Sequence, residues 1–474
     1  MNAHQTIDTG RAGEARAARP AGHVLVVGLG ATGLSCVRHL AGPGRPDGAG
    51  DPGRRIRKIV AVDSREHPPC RAAVESEFPE VEIRCGGFDA PVFDTAAEIV
   101  VSPGVSVREP ALRAAAARGV PIVGDIELFA RAVDAPVVAI TGSNGKSTVT
   151  SLVAAMARSD GVRAASGGNL GPPALTLLGR GHELYVLELS SFQLETTSAL
   201  RPAAAVVLNI SADHMDRYEN LDAYVAAKSR ALGGDTVVVT NLDDPRAARL
   251  GGDRCRRIGF STSPRFDAQW YVEGHGDAAK VMRLGESVMP VGAVPLAGMH
   301  NVANVLAAFA LGDAVGLRVG AMASAVEAFA GLPHRCETVA VRGGVRWIND
   351  SKGTNVGAAV AAIEGIGAQG PVVLIAGGLG KGADFAPLGG PAGRHVRCAV
   401  LIGRDASGLA AALGGCTRLR HARDLAHAVD IAAAAARDGD SVLLSPACAS
   451  FDMFADFEAR GDAFRRLVLG RAGA

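Results

Sequence analysis

Apolar and polar positions follow one another in a repeated order along this chain. A short run of Val, Ile, Leu and Ala comes first, a turn rich in Gly, Ser or Asp closes it, and a stretch of helical period follows. Short apolar runs bounded by turn residues read as buried strands, and the spacing after them reads as helices packed across those strands. The segment HVLVVGLGATGLSCVRHL (23–40) predicts a strand running into Gly28-x-Gly30-x-x-Gly33 and then a helix. IRKIVAVDS (56–64) predicts a second strand ending on Asp63, AEIVVSPGV (97–105) a third reaching Ser102 and Gly104, and VPIVGD (120–125) a short fourth. Strand and helix in alternation predict a parallel sheet flanked by helices.

A second set of such units starts near Asp125. VVAITGSNGKSTVTSLVAAMA (137–157) predicts a strand, a glycine-rich turn and a helix. ELYVLELSS (183–191), AAAVVLNIS (203–211) and GDTVVVTN (234–241) predict further strands, and NVANVLAAFALGDAVG (301–316) a helix, with another leading to Phe329. A third set starts near Leu332, with strands expected around 345–349, 371–376, 396–402 and 441–445 and Ala-rich helices between them. The pattern therefore predicts an α/β chain of three domains at 1–124, 125–331 and 332–474, each of ordinary domain size. The outer two are Rossmann-like, and the central one is a P-loop ATPase-type parallel sheet.

Composition narrows the picture. A chain of 474 residues is too long for one hydrophobic core, in keeping with several domains. With 49 basic and 48 acidic residues there is no basic field to attract nucleic acid or anionic lipid. The mean hydropathy of +0.18 comes from Ala, Val and Gly. No uncharged apolar run reaches the ~18 residues a span requires, so membrane insertion is not expected. Residues 1–20 are rich in Ala and Arg, include Glu14 and lack an apolar stretch. They read as a disordered tail and not as a secretory signal. The eight cysteines are scattered with no two at metal-ligand spacing, which reads as reduced thiols in a cytoplasmic protein. Cys448 lies in a Ser/Ala-rich loop with no neighbour that marks it as a nucleophile.

The chemistry concentrates at the ends of the expected strands. In TGSNGKST, the residues Gly142, Asn144, Gly145, Lys146, Ser147 and Thr148 stand where a turn and a helix N-terminus cradle phosphates. Lys146 supplies a point charge there, and the Ser147 hydroxyl suits Mg²⁺. This stretch predicts a nucleoside triphosphate. The Gly28–Gly33 turn admits an anionic ligand, a nicotinamide cofactor or a purely structural role. Asp63 falls about 30 positions past that turn instead of ~20, and the insert 42–55 accounts for the extra length as a surface loop. Glu188 ends the strand YVLE, where a carboxylate facing the phosphate loop suits Mg²⁺ or an ion pair. His214 in NISADHMDRY could ligate a metal or be a satisfied polar residue, and Asp213 and Asp216 beside it favour a cation. Taken alone, Lys228 in LDAYVAAKSRAL reads as a solvated helix residue. Asn169 sits in the turn GGNLGP. His300, Asn301 and Asn304 in GMHNVAN open a helix, where the two asparagines could read a base, reach phosphates or cap the helix. Arg335 in LPHR could clamp a triphosphate. NDSKGTN (349–355) puts polar side chains at a strand end with no packing reason, GGLGKGADF (377–385) is a second anion-type turn bearing Lys381, and SPACASFDMF (445–454) offers Ser450 and small-residue backbone.

Together TGSNGKST, ELSSFQLE, DHMDRY, NDSKGTN, GKGADF and LLSPACASFD, in this order, resemble the Mur ligases of bacterial cell-wall synthesis, and among them the branch that adds D-glutamate. The resemblance runs from about 25 to 460. It implies an ATP-dependent, ADP-forming ligase that joins glutamate to UDP-N-acetylmuramoyl-L-alanine through an acyl phosphate. The alternatives within the superfamily are the same reaction with L-glutamate or a folylpolyglutamate-synthase-like ligase. It assigns Leu29, Ala31, Thr32, Asp63, Ser64, Arg65, Ser102 and Gly104 to the uridine diphosphate end of the substrate. Asn169 and Ser190 go to its muramoyl-peptide part. It gives ATP the phosphate loop with Asn301, Asn304, Arg335 and Asp350. Two Mg²⁺ ions fall to Ser147, Glu188, His214 and Lys228, the last carrying a CO₂ adduct as a carbamate. The catalytic set is Lys146, Glu188, His214 and Lys228, and Lys352, Thr354, Lys381, Ser450 and Phe457 hold glutamate. A monomer in the cytoplasm is expected. Leu379 stands where relatives carry Asp, and the spacing from His214 to Lys228 is one residue shorter than in relatives.

Overall fold

The computed structural model describes residues 22–42, 58–252, 255–265 and 267–470. The tail assigned to 1–20, and all but the first residue of the insert 42–55, lie outside the described residues. The chain divides into two compact units, Met1–Val123 and Gly124–Ala474.

In the first unit the described strands form one parallel sheet. Its order is Glu82–Cys85, Ile59–Asp63, His23–Val27, Ala96–Val101, Ile122–Val123. Every residue of Ile59–Asp63 and Ala96–Val101 is buried, as strands covered on both faces must be. Chain order reverses between His23–Val27 and Ala96–Val101, and in such sheets the crevice at the reversal is where ligands lie. Gly28 and Ser102 leave their strands there, and Ser102 Oγ donates to the Gly28 carbonyl at 3.0 Å. A Cβ on Gly33 would stand 1.8 Å from that same carbonyl oxygen, so only glycine lets the helix Ala31–Ala41 start this close to the turn.

The second unit carries two sheets. The larger runs Glu286–Pro290, Lys280–Arg283, Trp270–Glu273, Arg257–Ser261, Val237–Asn241, Ala204–Val207, Val137–Thr141, Leu184–Glu188, Ala164–Gly168. It is parallel except at the first three strands, which pair antiparallel. The helices Lys146–Ser159 and Met299–Ala314 bury Leu152, Val153, Val305 and Phe309 against Val138, Ile140, Val186 and Val206. The ring of Phe309 stacks on Trp270 with centroids 4.7 Å apart. The smaller sheet runs Glu337–Arg342, Val345–Asn349, Ser441–Leu444, Val372–Gly377, Val396–Ile402, Arg418–His421, and only Glu337–Arg342 is antiparallel. Val373, Ile375 and Val442 fill one face and Leu374 and Leu443 the other.

The four strands expected near 345, 371, 396 and 441 are present. Those that the apolar pattern did not announce are mostly edge or hairpin strands: Glu82–Cys85, Ala164–Gly168, Trp270–Glu273, Lys280–Arg283, Glu286–Pro290, Glu337–Arg342 and Arg418–His421; Arg257–Ser261, inside the larger sheet, is the exception. Edge strands expose one side and carry charges or glycines that break an apolar run. In the larger sheet Val137–Thr141 lies between Leu184–Glu188 and Ala204–Val207. The loops that follow these three parallel strands therefore meet at one end of the sheet.

Candidate active site

Past Thr141 the chain turns sharply, with φ of 145° at Gly142 and 83° at Gly145. Residues with a Cβ avoid these conformations. A Cβ on Gly145 would also lie 2.3 Å from Asn304 Oδ1, so Asn304 rests directly on the loop. The helix Lys146–Ser159 starts at Gly145 without a side-chain cap, which leaves its first N–H groups for an anion. Asn209 braces the loop from the neighbouring strand end: its Oδ1 accepts the Asn144 N–H at 2.8 Å and its Nδ2 donates to the Asn144 carbonyl at 3.1 Å. Ser143 Oγ donates to the Ser211 carbonyl at 2.9 Å and accepts the Ser211 N–H at 3.0 Å.

Two lysines converge on this loop. Lys146 Nζ donates to the carbonyls of Gly142 at 3.0 Å and Ser143 at 2.8 Å. Lys228 Nζ donates to the same Gly142 carbonyl at 2.8 Å and lies 4.4 Å from the centre of the Tyr224 ring. The helix Leu221–Ser229 turns this lysine inward, leaving it 2% exposed, against the solvated reading of its sequence. Burial, with repulsion from Lys146, pushes its amine well below the ordinary lysine range. Burial lowers Lys146 as well, opposed by Glu188 and Asp213.

Glu188 is buried at the end of its strand. Its Oε1 accepts from Asn169 Nδ2 at 2.6 Å, and its Oε2 accepts from the Ser147 hydroxyl. Burial opposes ionisation of Glu188, but Lys146, Ser147, Asn169 and Arg335 outweigh it and hold the carboxyl below its usual range. Arg335 arrives from far along the chain and donates to Ser147 Oγ at 2.5 Å. Asp213 accepts from Lys381 Nζ at 3.3 Å and from Asn355 Nδ2 at 3.0 Å. His214 sits at φ 58° with its ring 4.9 Å from that of Phe192, and burial lowers its pKa.

From the helix Met299–Ala314, Asn301 Nδ2 donates to the Ala297 carbonyl at 2.8 Å and Asn304 Nδ2 to Asn301 Oδ1 at 3.1 Å. His300 is kept neutral by burial, at about 4. From the smaller sheet, Asp350 accepts from Ser445 Oγ at 2.7 Å and from the Cys336 N–H at 3.2 Å. Burial raises its carboxyl to about 6. Lys352 Nζ lies 3.7 Å from the centre of the Phe457 ring, and burial lowers it to about 8. Cys448 is buried and pushed up to about 12, which leaves its thiol unreactive. One cavity of about 740 Å³ gathers Lys146, Ser147, Asn169, Glu188, Ser190, His214, Lys228, Asn301, Asn304, Arg335, Asp350, Lys352, Thr354, Lys381, Ser450 and Phe457.

The first unit holds its own group. Asp63 Oδ2 accepts the Leu29 N–H at 2.7 Å, and Arg65 reaches both oxygens through Nε at 2.8 Å and Nη2 at 2.7 Å. The Leu29 side chain is fully buried, so only its backbone can face a ligand. Sequence reasoning passed over Asn209 and Tyr224 and saw Asn355 only as one polar residue of the run 349–355. Asn209 carried a readable signal, a polar residue directly after the apolar run VVL. Tyr224 carried none.

Models of three families match this chain: a MurD-like N-terminal domain of Mur ligases at 22–124, the Mur ligase middle domain at 140–312 and the Mur ligase glutamate ligase domain at 334–448. The UDP-N-acetylmuramoylalanine--D-glutamate ligase of Nitrosococcus oceani is 53% identical over 455 residues, spanning 94% of this chain and 96% of the relative. That of Marinobacter nauticus is 50% identical over 448 residues, spanning 94% and 98%. This chain belongs to the Mur ligase family. A solved pseudomurein peptide ligase type C from Methanothermus fervidus shares the fold, with a TM-score of 0.60 at 16% identity over 95% of this chain and 100% of that one.

As a Mur ligase the chain is an enzyme of the acid–amino-acid ligase class that forms amide bonds at the expense of ATP in peptidoglycan precursor synthesis. Its three-domain α/β architecture, with Rossmann-like flanking domains and a central sheet domain, is that of the family. Among the described residues no group of three or more His, Cys, Asp or Glu side chains could hold a metal ion by itself. The ionised Glu188 and the Ser147 hydroxyl are hard oxygen donors. Such a pair fits Mg²⁺ where substrate phosphates complete the shell, the usual mode for that ion. Among the described residues no helix is long and apolar enough to cross a membrane.

Proposed function

We propose that this Mur ligase joins D-glutamate to UDP-N-acetylmuramoyl-L-alanine, consuming ATP. The observation that carries the reading is the convergence of Lys146, Lys228 and Arg335 with Glu188 around one uncapped helix N-terminus. Its relatives at 53% and 50% identity carry the name of that reaction.

The substrate carboxylate must approach the terminal phosphoryl group of ATP, and two anions repel steeply where water is excluded. Lys146 leaves the Gly142 and Ser143 carbonyls to meet the phosphates, and Arg335, already on Ser147, adds a second positive charge there. Ser147 and Glu188, with His214, would hold Mg²⁺, which when bound supplies Lewis-acid stabilisation of the phosphoryl oxygens. Burial and the neighbouring Lys146 push the Lys228 amine well below the ordinary lysine range, which favours its neutral form. A neutral amine can add to CO₂: the nitrogen lone pair forms the N–C bond, a proton leaves nitrogen, and a carbamate anion results. That would turn a buried cation into an oxygen donor beside Lys146.

The carboxylate oxygen takes the terminal phosphoryl group as ADP leaves, giving an acyl phosphate. The neutral amine of glutamate then attacks its carbonyl carbon, the C–N bond replaces the C–O bond, phosphate departs and the amine nitrogen gives up a proton. Lys352, Thr354, Lys381, Ser450 and Phe457 line the same cavity, and the two ammonium groups suit the two carboxylates of glutamate. Asn301, Asn304 and Asp350 serve ATP, and Asn169 and Ser190 the muramoyl-peptide end. The crevice of the first unit, with Ala31, Thr32, Ser64, Arg65, Ser102 and Gly104, takes the uridine diphosphate, for which the Arg65 guanidinium beside Asp63 supplies charge. The domains divide at 1–124, 125–331 and 332–474, and the working unit is a cytoplasmic monomer. Phosphate release from ATP with UDP-N-acetylmuramoyl-L-alanine is the test, comparing D-glutamate, L-glutamate and meso-diaminopimelate. Release that depends on D-glutamate supports the reading. Equal release with L-glutamate, or none with either glutamate, sinks it.

A further inference from the structure

Asn355 closes the loop that bears Asp350, Lys352 and Thr354, and none of the roles above is assigned to it. It is 6% exposed. Its Oδ1 accepts the Ala358 N–H at 2.8 Å and caps the helix Val356–Gly367. Its Nδ2 donates to Asn144 Oδ1 in the phosphate loop and to Asp213 Oδ2 beside His214, each at 3.0 Å. The acceptors are themselves held: Asn144 by the two bonds to Asn209 and Asp213 by Lys381.

We propose that Asn355 is a positioning residue of the ligase reaction, registering the amino-acid loop against the phosphate loop through its two amide protons. The inference rests on the ligase reading above. Only a planar NH₂ group places two donors at a fixed angle while leaving an acceptor for the helix cap. The bond to Asp213 is charge-assisted and correspondingly strong. Reaction between two bound partners is sensitive to small errors in register, since about 1 Å of misplacement can cost a hundredfold in rate.

The residue types tolerated at a helix cap separate this role from capping. Ser and Asp cap about as well as Asn, so Asn355→Ser and Asn355→Asp keep the helix start. Serine lacks the reach and the second donor. Aspartate loses both donors and sets a carboxylate against Asp213. Both variants are made in the full chain and assayed for thermal unfolding and for kcat/KM towards ATP and towards the amino acid. Asn355→Ser is expected to unfold within a few degrees of wild type, and Asn355→Asp somewhat lower because of its like charge beside Asp213. Asn355→Ser is expected to lower kcat/KM about tenfold for both substrates, and Asn355→Asp about a hundredfold, the like charge adding to the lost bonds. Wild-type kcat/KM in both variants, or activity lost only in step with unfolding, overturns the positioning role. A wild-type chain with no amino-acid-dependent phosphate release overturns the ligase reading itself.

Discussion

Lys228→Met keeps the length of the side chain and removes its amine. The recorded contacts of that amine are the Gly142 carbonyl at 2.8 Å and the face of Tyr224 at 4.4 Å. Losing one hydrogen bond costs about 1 kcal/mol net, and the Gly142 carbonyl keeps Lys146 as a donor at 3.0 Å. On the other side stands the cost of burial. A lysine pushed well below its usual range is less favourably charged in the folded chain than in the unfolded one. Each unit by which the folded pKa falls below the working pH costs ~1.4 kcal/mol. The terms oppose, so the variant should lie within about 1 kcal/mol of wild type or above it, a shift of at most ~4 °C in the unfolding midpoint. Turnover should fall at least about a hundredfold, the scale of removing one group that stabilises developing charge. Calorimetry and amino-acid-dependent phosphate release measure the two quantities on one preparation. In Lys228→Ala, acetate should fill the vacated space and return part of the lost rate. A methionine variant that turns over normally would refute the argument, as would one whose midpoint drops by about 10 °C.

Gly145→Ala sets a Cβ against Asn304 Oδ1 at a residue with φ of 83°. A strain of about 1–2 kcal/mol should raise the KM for ATP roughly tenfold and leave that for the amino acid near wild type, as steady-state kinetics will read. Asp63 is opposed by burial but held at about 2 by Arg65 and the Leu29 amide. Its folded pKa is depressed, so its stabilisation is present above about pH 4 and is lost as pH falls towards 2. Asp63→Asn should therefore cost ~2 kcal/mol at neutral pH and flatten that acid limb in denaturant titrations. Lys352 is lowered to about 8 by burial, so it loses its charge above that pH. The KM for the amino acid should rise there, and Lys352→Arg should carry the rise to higher pH. A flat profile to pH 9 would remove Lys352 from the amino-acid site.

The glycine-rich loop after Thr141 was legible because its parts are consecutive: a strand, two glycines of unusual φ and a helix start lie within 137–159. Glu188 and the run 349–355 were legible as polar residues at the ends of apolar strands. Lys228 was not. A helix of Ala, Leu and Lys has the same local pattern whether that lysine faces water or a carbonyl, and only the family resemblance pointed inward. Asn355 was seen only as one polar residue of the run 349–355, and Asn209 was passed over despite its place after VVL, because nothing local marks an asparagine's partner. The hairpin strands of 270–290 escaped because each is short and carries charge along its open side.

What the sequence determined by itself is what short-range chemistry encodes. That covers three sets of strand–helix units, the glycine-rich turns that follow particular strands, and through the ordered motifs the family. The tertiary structure alone decided which side chains meet. Arg335 reaches Ser147 across 188 positions, Asn355 reaches Asn144 across 211, and Lys228 reaches Gly142 across 86. The physical reason is that a side chain's partner depends on how elements pack and on which face of each is covered. No local alternation of polar and apolar residues carries that information, because many packings satisfy the same alternation and only the lowest in free energy brings these atoms within bonding distance.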